Sequence, residues 1–185
     1  MSAHDDTAEE GGVPPADDGQ PEPPPARPGV GRRGGWRRIA VRSGVGAVLL
    51  FALIQLIPVG RDHSNPPVMK QPSWDSPRTQ VLFSRACGDC HSNETTWPWY
   101  SNVAPVSWLV TNDVDGGRGK LNVSEWDRPQ DDAGDVAEVS RSGEMPPFYY
   151  TWMHSSAKLS GAEKQQLIAG WQATMRRSPP IGGGG

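Results

Sequence analysis

The chain has 185 residues, room for one ordinary domain with extensions, and a formal net charge of −3. That charge divides almost evenly between the first sixty residues and the rest, which argues against nucleic acid as a partner, and two cysteines exclude a disulfide framework. Eight tryptophans against three phenylalanines and three tyrosines suit a domain with a large flat apolar surface to cover, or one with dense aromatic packing.

Residues 1–31 are rich in Pro, Gly, Asp and Glu and hold almost no large apolar side chain. Such a stretch cannot offset its ordering entropy by burial, so it is expected to be a disordered cytoplasmic tail. Residues 32–60 change character. Arg32, Arg33, Arg37, Arg38 and Arg42 precede an uncharged run from Ser43 to Gly60. As a helix that run spans about 27 Å, close to the hydrocarbon thickness of a bilayer. The basic flank precedes the run, which puts the N-terminus in the cytoplasm and the remainder outside. No Ala-x-Ala cleavage site follows Leu56-Ile57-Pro58, and Gly34-Gly35 follows Arg32-Arg33 where a twin-arginine signal wants apolar residues. The reading is a single uncleaved transmembrane helix. Residues 61–75, with Asn65-Pro66-Pro67 and Gln71-Pro72, read as a linker in which His63 is a solvated histidine.

A domain is expected over 76–177. Ser76-Pro77 is a helix start, and Val81, Leu82, Arg85 and Ala86 carry that helix into Cys87-Gly88-Asp89-Cys90-His91. A second helix is expected after Pro105, fading near Gly116-Gly117, and a third, weaker one over Asp131–Ser142. Ser160-Gly161-Ala162-Glu163 is a capping box opening a last helix with Leu167, Ile168, Trp171 and Met175 at helical spacing. Residues 178–185 read as a frayed tail. No stretch alternates persistently enough to demand a sheet, so the fold class is all-α.

The pentad Cys87–His91 carries the chemistry. Two thiols on about one helical turn can add to the two vinyl groups of a porphyrin edge, and the adjacent imidazole reaches the iron. A thioredoxin-like motif would want a βαβ setting, and a zinc site would have to draw further ligands from His63, His154 or a carboxylate. Candidates for the opposite iron ligand are Met145, Met153, His154 and Met175. Met145 is preferred and His154 is the alternative, because Pro146-Pro147 stiffens the loop that presents the Met145 thioether, while Met175 reads as core. Trp97 and Tyr149 are the candidate porphyrin contacts among many aromatics. Arg118 and Lys120 are either propionate partners or solvated loop charges.

From about residue 70 to 175 the chain resembles the bacterial haem-binding domain family, a small c-type cytochrome-like group. The stretches that carry the likeness are Cys87–Thr95, Trp97–Ser101, Ala104–Leu109, Leu121–Trp126, Gly143–Pro147 and Met153-His154. Val123 stands where a phenylalanine is more common. The resemblance implies a covalent haem with His91 as proximal ligand, inside a cytochrome c-like helical arrangement. The expectation is one haem c per chain, held by Cys87 and Cys90 and ligated by His91 and Met145. The protein would be a single-pass protein of a bacterial cytoplasmic membrane, moving one electron at a time between redox partner proteins on the extracytoplasmic face. The alternative is a peroxidase-like haem enzyme or a gas or redox sensor with an open iron position. No acid–base or nucleophile constellation points to another catalytic site.

Overall fold

The computed structural model of the protein describes residues 33–181, so the expectations for 1–31 and for the last four residues lie outside the described residues. Those described form an all-α fold in which the only β-pairing is two isolated bridges, Lys70 with Glu125 and Pro129 with Ile181. The chain divides between Arg42 and Ser43, inside the first helix.

That helix, α1 (Arg33–Ile54), departs from the expected membrane span. It begins among the arginines and stops before the apolar run ends, so only Ser43–Ile54 of that run is helical, about 18 Å of axis. Leu56 and Ile57 close tight turns on Leu53 and Ile54, Pro58 then brings no N–H, and Gly60 turns the chain at φ 76°. Among the described residues no helix is long and apolar enough to cross a membrane. The transmembrane helix is therefore corrected to a shorter one whose apolar side chains, Val48 to Leu53 among them, are largely exposed.

Residues 55–75 lie along the domain as a strap. The Gln55 amide donates to the Ala104 carbonyl at 2.9 Å and accepts from the Ala104 N–H at 3.0 Å. His63 stacks on Trp97 at 4.5 Å and donates through Nε2 to the Ser101 carbonyl, so it is a half-buried, bonded residue rather than a solvated one. The N–H groups of Met69 and Lys70 both donate to the Ser124 carbonyl, and the Trp126 N–H donates to Lys70. Prolines prevent a helix here, and the freed backbone groups bond across to the domain instead.

Ser76 caps α2 (Pro77–Phe83) by accepting from the Thr79 N–H. The helix continues through a widened π segment, Ser84–Gly88, into the single turn α3 (Asp89–His91). Such widenings cluster at functional sites. Helix α4 (Val106–Lys120) runs straight through the glycines expected to end it. The cause is packing: a Cβ on Gly117 would come within 3.0 Å of the Cys90 carbonyl carbon and Cβ. Helix α5 (Val136–Ser142) is shorter than expected and ends at Gly143, φ 83°. A short helix that the sequence reading did not anticipate, α6 (Phe148–Met153), follows the proline pair. Helix α7 (Gly161–Arg177) begins at the expected capping box.

The core joins α2 to α7. Phe83 stacks on Trp171 at 5.1 Å, Trp126 meets Trp171 edge-on at 5.8 Å, and Leu82, Leu121, Val123, Val136 and Leu167 close around them. The Trp171 indole N–H donates to the Ala133 carbonyl at 2.8 Å, so the buried ring leaves no donor unmet. Met175 packs against this cluster, as expected of a core residue. Ser178 accepts from the Trp126 indole at 3.0 Å, which ties residues just past α7 to the domain.

Two outcomes follow. In Gly170→Ala the new Cβ would meet the Cβ and Cγ2 of buried Thr79 at 2.9 Å, so α2 and α7 must part. Urea unfolding should show a loss of about 1–3 kcal/mol, the usual cost of overpacking. Glu163 bridges Arg85 at 2.9 Å and Arg78 at 3.2 Å while it closes the capping box, and these contacts, Arg85 foremost, hold its carboxyl down to about 2. A depressed carboxylate contributes stability above its unfolded value near 4.5, lost as pH falls toward 2. Glu163→Gln should therefore flatten the acid limb of the melting temperature between those pH values.

Candidate haem centre

The π segment and α3 set Cys87 and Cys90 on one side of the same turn, both as free, partly buried thiols. Burial pushes each thiol up to about 12, with added repulsion from Cys90 at Cys87 and from Asp113 and Asp89 at Cys90. Both are protonated at neutral pH. They line a cavity of about 260 Å³ whose wall also includes His91, Met145, Pro146, Pro147, Tyr149 and Tyr150.

His91 is held by its far nitrogen. Nδ1 lies 3.1 Å from the carbonyls of both Gly117 and Leu121. Carbonyls only accept, so Nδ1 carries the proton and Nε2 keeps its lone pair. Burial lowers the imidazole pKa, partly offset by those two hydrogen bonds, and this favours the neutral ring. Nε2 has no hydrogen-bond partner among the described residues. A neutral imidazole with a fixed tautomer and a free Nε2 is what a metal ligand requires.

The pentad is braced on every side. The Asp89 carboxylate accepts from the Thr96 N–H at 2.9 Å and the Tyr150 hydroxyl at 2.6 Å. The Val123 N–H donates to the His91 carbonyl, and behind it Asn122 donates to Asn93, Gln130 accepts from the Asn122 N–H, and Ser124 accepts from the Asn93 N–H. These buried polar groups are paired, which makes the network stiff rather than costly. Arg118 donates to Ser92, Asn65 and Thr95 and is spent on holding loops, while Lys120 pairs with Asp132 at 3.5 Å on the cavity rim.

Met145 lies on the wall of this cavity. Gly143 turns the chain out of α5, the Met145 N–H donates to the Val139 carbonyl at 3.1 Å, and both following prolines line the cavity. Tyr149 also lines it and donates to Asp113 at 3.0 Å, and burial with that bond raises its hydroxyl pKa. Trp97 does not reach the cavity; its ring is stacked on His63 and its N–H bonds Asn65. His154 is not brought there either, since it stacks on Tyr150 at 4.4 Å and bonds the Tyr100 hydroxyl beside a different cavity. No tryptophan lines the haem cavity, so the wall expected from indoles is built from tyrosines and prolines. Tyr150, Asp113 and Gly117 were missed. The sequence carried no signal for the last of these, because a glycine pair reads as a helix end.

Two thiols a turn apart, a free imidazole lone pair and a thioether on one apolar-walled cavity fit a covalently held haem. Among the described residues no group of three or more His, Cys, Asp or Glu is placed to hold a bare metal ion. Neither a curated protein nor a solved structure matches the chain. The family model of the haem-binding domain matches residues 49–173, from the end of α1 through the pentad and the Met145 loop into α7. A match of that extent, over the residues that build this cavity, shows that the chain belongs to the haem-binding domain family.

Proposed function

We propose that the protein is a monohaem c-type cytochrome that carries single electrons at the outer face of a bacterial cytoplasmic membrane. The observation that carries this reading is the placing of His91, with Nδ1 tied to two carbonyls, and Met145 on one cavity with both cysteines. Cys87 and Cys90 would form the thioether links, and His91 Nε2 and the Met145 sulfur would ligate the iron. When bound, haem supplies a one-electron couple, whose potential a Met/His ligand pair raises.

The residues of the chain supply a rigid setting. The paired carbonyls hold the imidazole in one orientation, the prolines limit the excursions of the Met145 loop, and Tyr149 and Tyr150 wall the site with their hydroxyls committed to Asp113 and Asp89. A site that rearranges little suits electron transfer rather than bond making. The membrane contact is assigned to α1 and the apolar residues after it. Val48, Leu49, Leu50, Phe51, Leu53 and Leu56 are each half exposed or more, and Arg37, Arg38 and Arg42 precede them at the level of lipid headgroups.

The reduced pyridine spectrum of the purified protein should show a c-type haemochrome at one haem per chain, lost in Cys87→Ala/Cys90→Ala. Ferric wild type should be low-spin with a sulfur-to-iron charge-transfer band, and Met145→Ala should lose that band and lower the potential. A high-spin wild-type spectrum that shifts on adding cyanide, with no internal ligand displaced, would instead mark an open-iron enzyme or sensor. The chain should float with phosphatidylglycerol vesicles on a density gradient. Leu49→Lys/Leu53→Lys should cut that association by about tenfold or more, since each lysine is costly in lipid.

A further inference from the structure

A second cavity, of about 350 Å³, adjoins the haem cavity and shares Cys90, Asp113, Tyr149 and Tyr150 with it. Apart from Asp89, Thr95 and Thr96, the rest of its wall is apolar or aromatic, with Leu109 and Val110 from α4 and Trp99 and Trp152 at its edge. No lysine or arginine lines it. The tyrosine hydroxyls it shares with the haem cavity are already given to Asp113 and Asp89. What remains is the pair Tyr100 and His154, joined through the Tyr100 hydroxyl and His154 Nε2. Whichever atom donates, the pair keeps one further hydrogen, on His154 Nδ1 or on the Tyr100 hydroxyl, that no group among the described residues accepts. Stacking on Tyr150 at 16° fixes the plane of the His154 ring.

The cavity also has a direction of access. Its α4 wall begins at Val106, just after Ala104-Pro105, and Ala104 is the residue gripped by Gln55 at the end of the apolar helix. The half-exposed Leu109 lies on this wall, and the exposed rings of Trp99 and Trp152 lie at the edge of the cavity. On the membrane contact proposed for α1, a ligand leaving the lipid would reach the cavity from this side.

We propose that this cavity binds the ring of a lipid-borne quinone and passes electrons from its reduced form to the haem. A flat, neutral ring stacks on aromatic walls, its carbonyl oxygen accepts the one hydrogen that Tyr100 and His154 leave free, and Cys90 separates it from the haem by a single side chain. A fatty-acid carboxylate fits worse, because Asp89 and Asp113 line the cavity and no cation offsets them. One hydroquinone gives up two electrons and two protons as its two O–H bonds break. Two ferric proteins each take one electron, and the protons leave to water. This assignment rests on the reading of the protein as a membrane-associated electron carrier.

The test uses the haem-loaded full chain in detergent, titrated by calorimetry with a ubiquinone bearing one isoprene unit. Saturable binding is expected, weakened tenfold or more in Leu109→Trp, which fills the cavity from an exposed position, and in His154→Ala. Anaerobic haem reduction by the corresponding quinol should slow by the same factor in both variants, while dithionite reduces all three proteins alike. Binding that is not saturable, or is equal in wild type and Leu109→Trp, overturns the site. Binding without haem reduction keeps the quinone site and overturns the electron transfer from it, while the electron-carrier reading stands or falls on the Met145→Ala spectrum. Binding by a chain that does not float with vesicles keeps the site and sinks the membrane reading.

Discussion

The hydrogen bonds from His91 Nδ1 to the carbonyls of Gly117 and Leu121 are the constraint on which the rest of the site depends. For both carbonyls to reach one nitrogen, the end of α4 must lie against the pentad backbone, and that approach leaves no room for a side chain at 117. The chain leaving α4 is bound in turn by the His91 carbonyl, which takes the Val123 N–H. His91, the end of α4 and the loop that follows therefore form one closed unit. Disturbing any member would release the imidazole to rotate.

The aromatic residues divide into three crews. Trp171, Trp126 and Phe83 build the core between α2 and α7, and Trp97 anchors the strap through His63. Tyr149 and Tyr150 partition the two cavities, each with its hydroxyl satisfied by a carboxylate. This division places three of the eight indoles in the core or the strap and none on the cavity that Cys87 and Cys90 line, while Trp36, Trp99 and Trp152 stay exposed. Bulky indoles fill the thick parts of a small domain, while tyrosines serve where a wall must be apolar on its faces and polar at its tip.

The pentad, the Met145 loop and both capped helices could be read directly, because each is a local pattern in which spacing or a capping side chain carries the information. The strap could not. Its Asn65-Pro66-Pro67 and Gln71-Pro72 look like linker chemistry, and only the carbonyl of Ser124, far along the chain, reveals where its N–H groups go. Trp97 was misplaced for the same reason, since nearness to the pentad in sequence says nothing about which way the ring turns. Gly117 was read as a helix end because glycine lowers helix propensity, whereas close packing against Cys90 overrode it. The apolar run after Arg42 has the length of a membrane span on paper, but Pro58 and Gly60 cut its helix short.

The strap also sets how the haem domain is carried. Gln55 grips Ala104 directly after α1, and from His63 to Lys70 the chain stays bonded to the domain surface. There is accordingly no free leash between the end of the apolar helix and the domain. A flexible tether lets a cytochrome sweep a volume and sample partners at any angle. Here the chain that leaves the helix is fastened at Gln55, His63 and Lys70, so the domain has no slack to swing on.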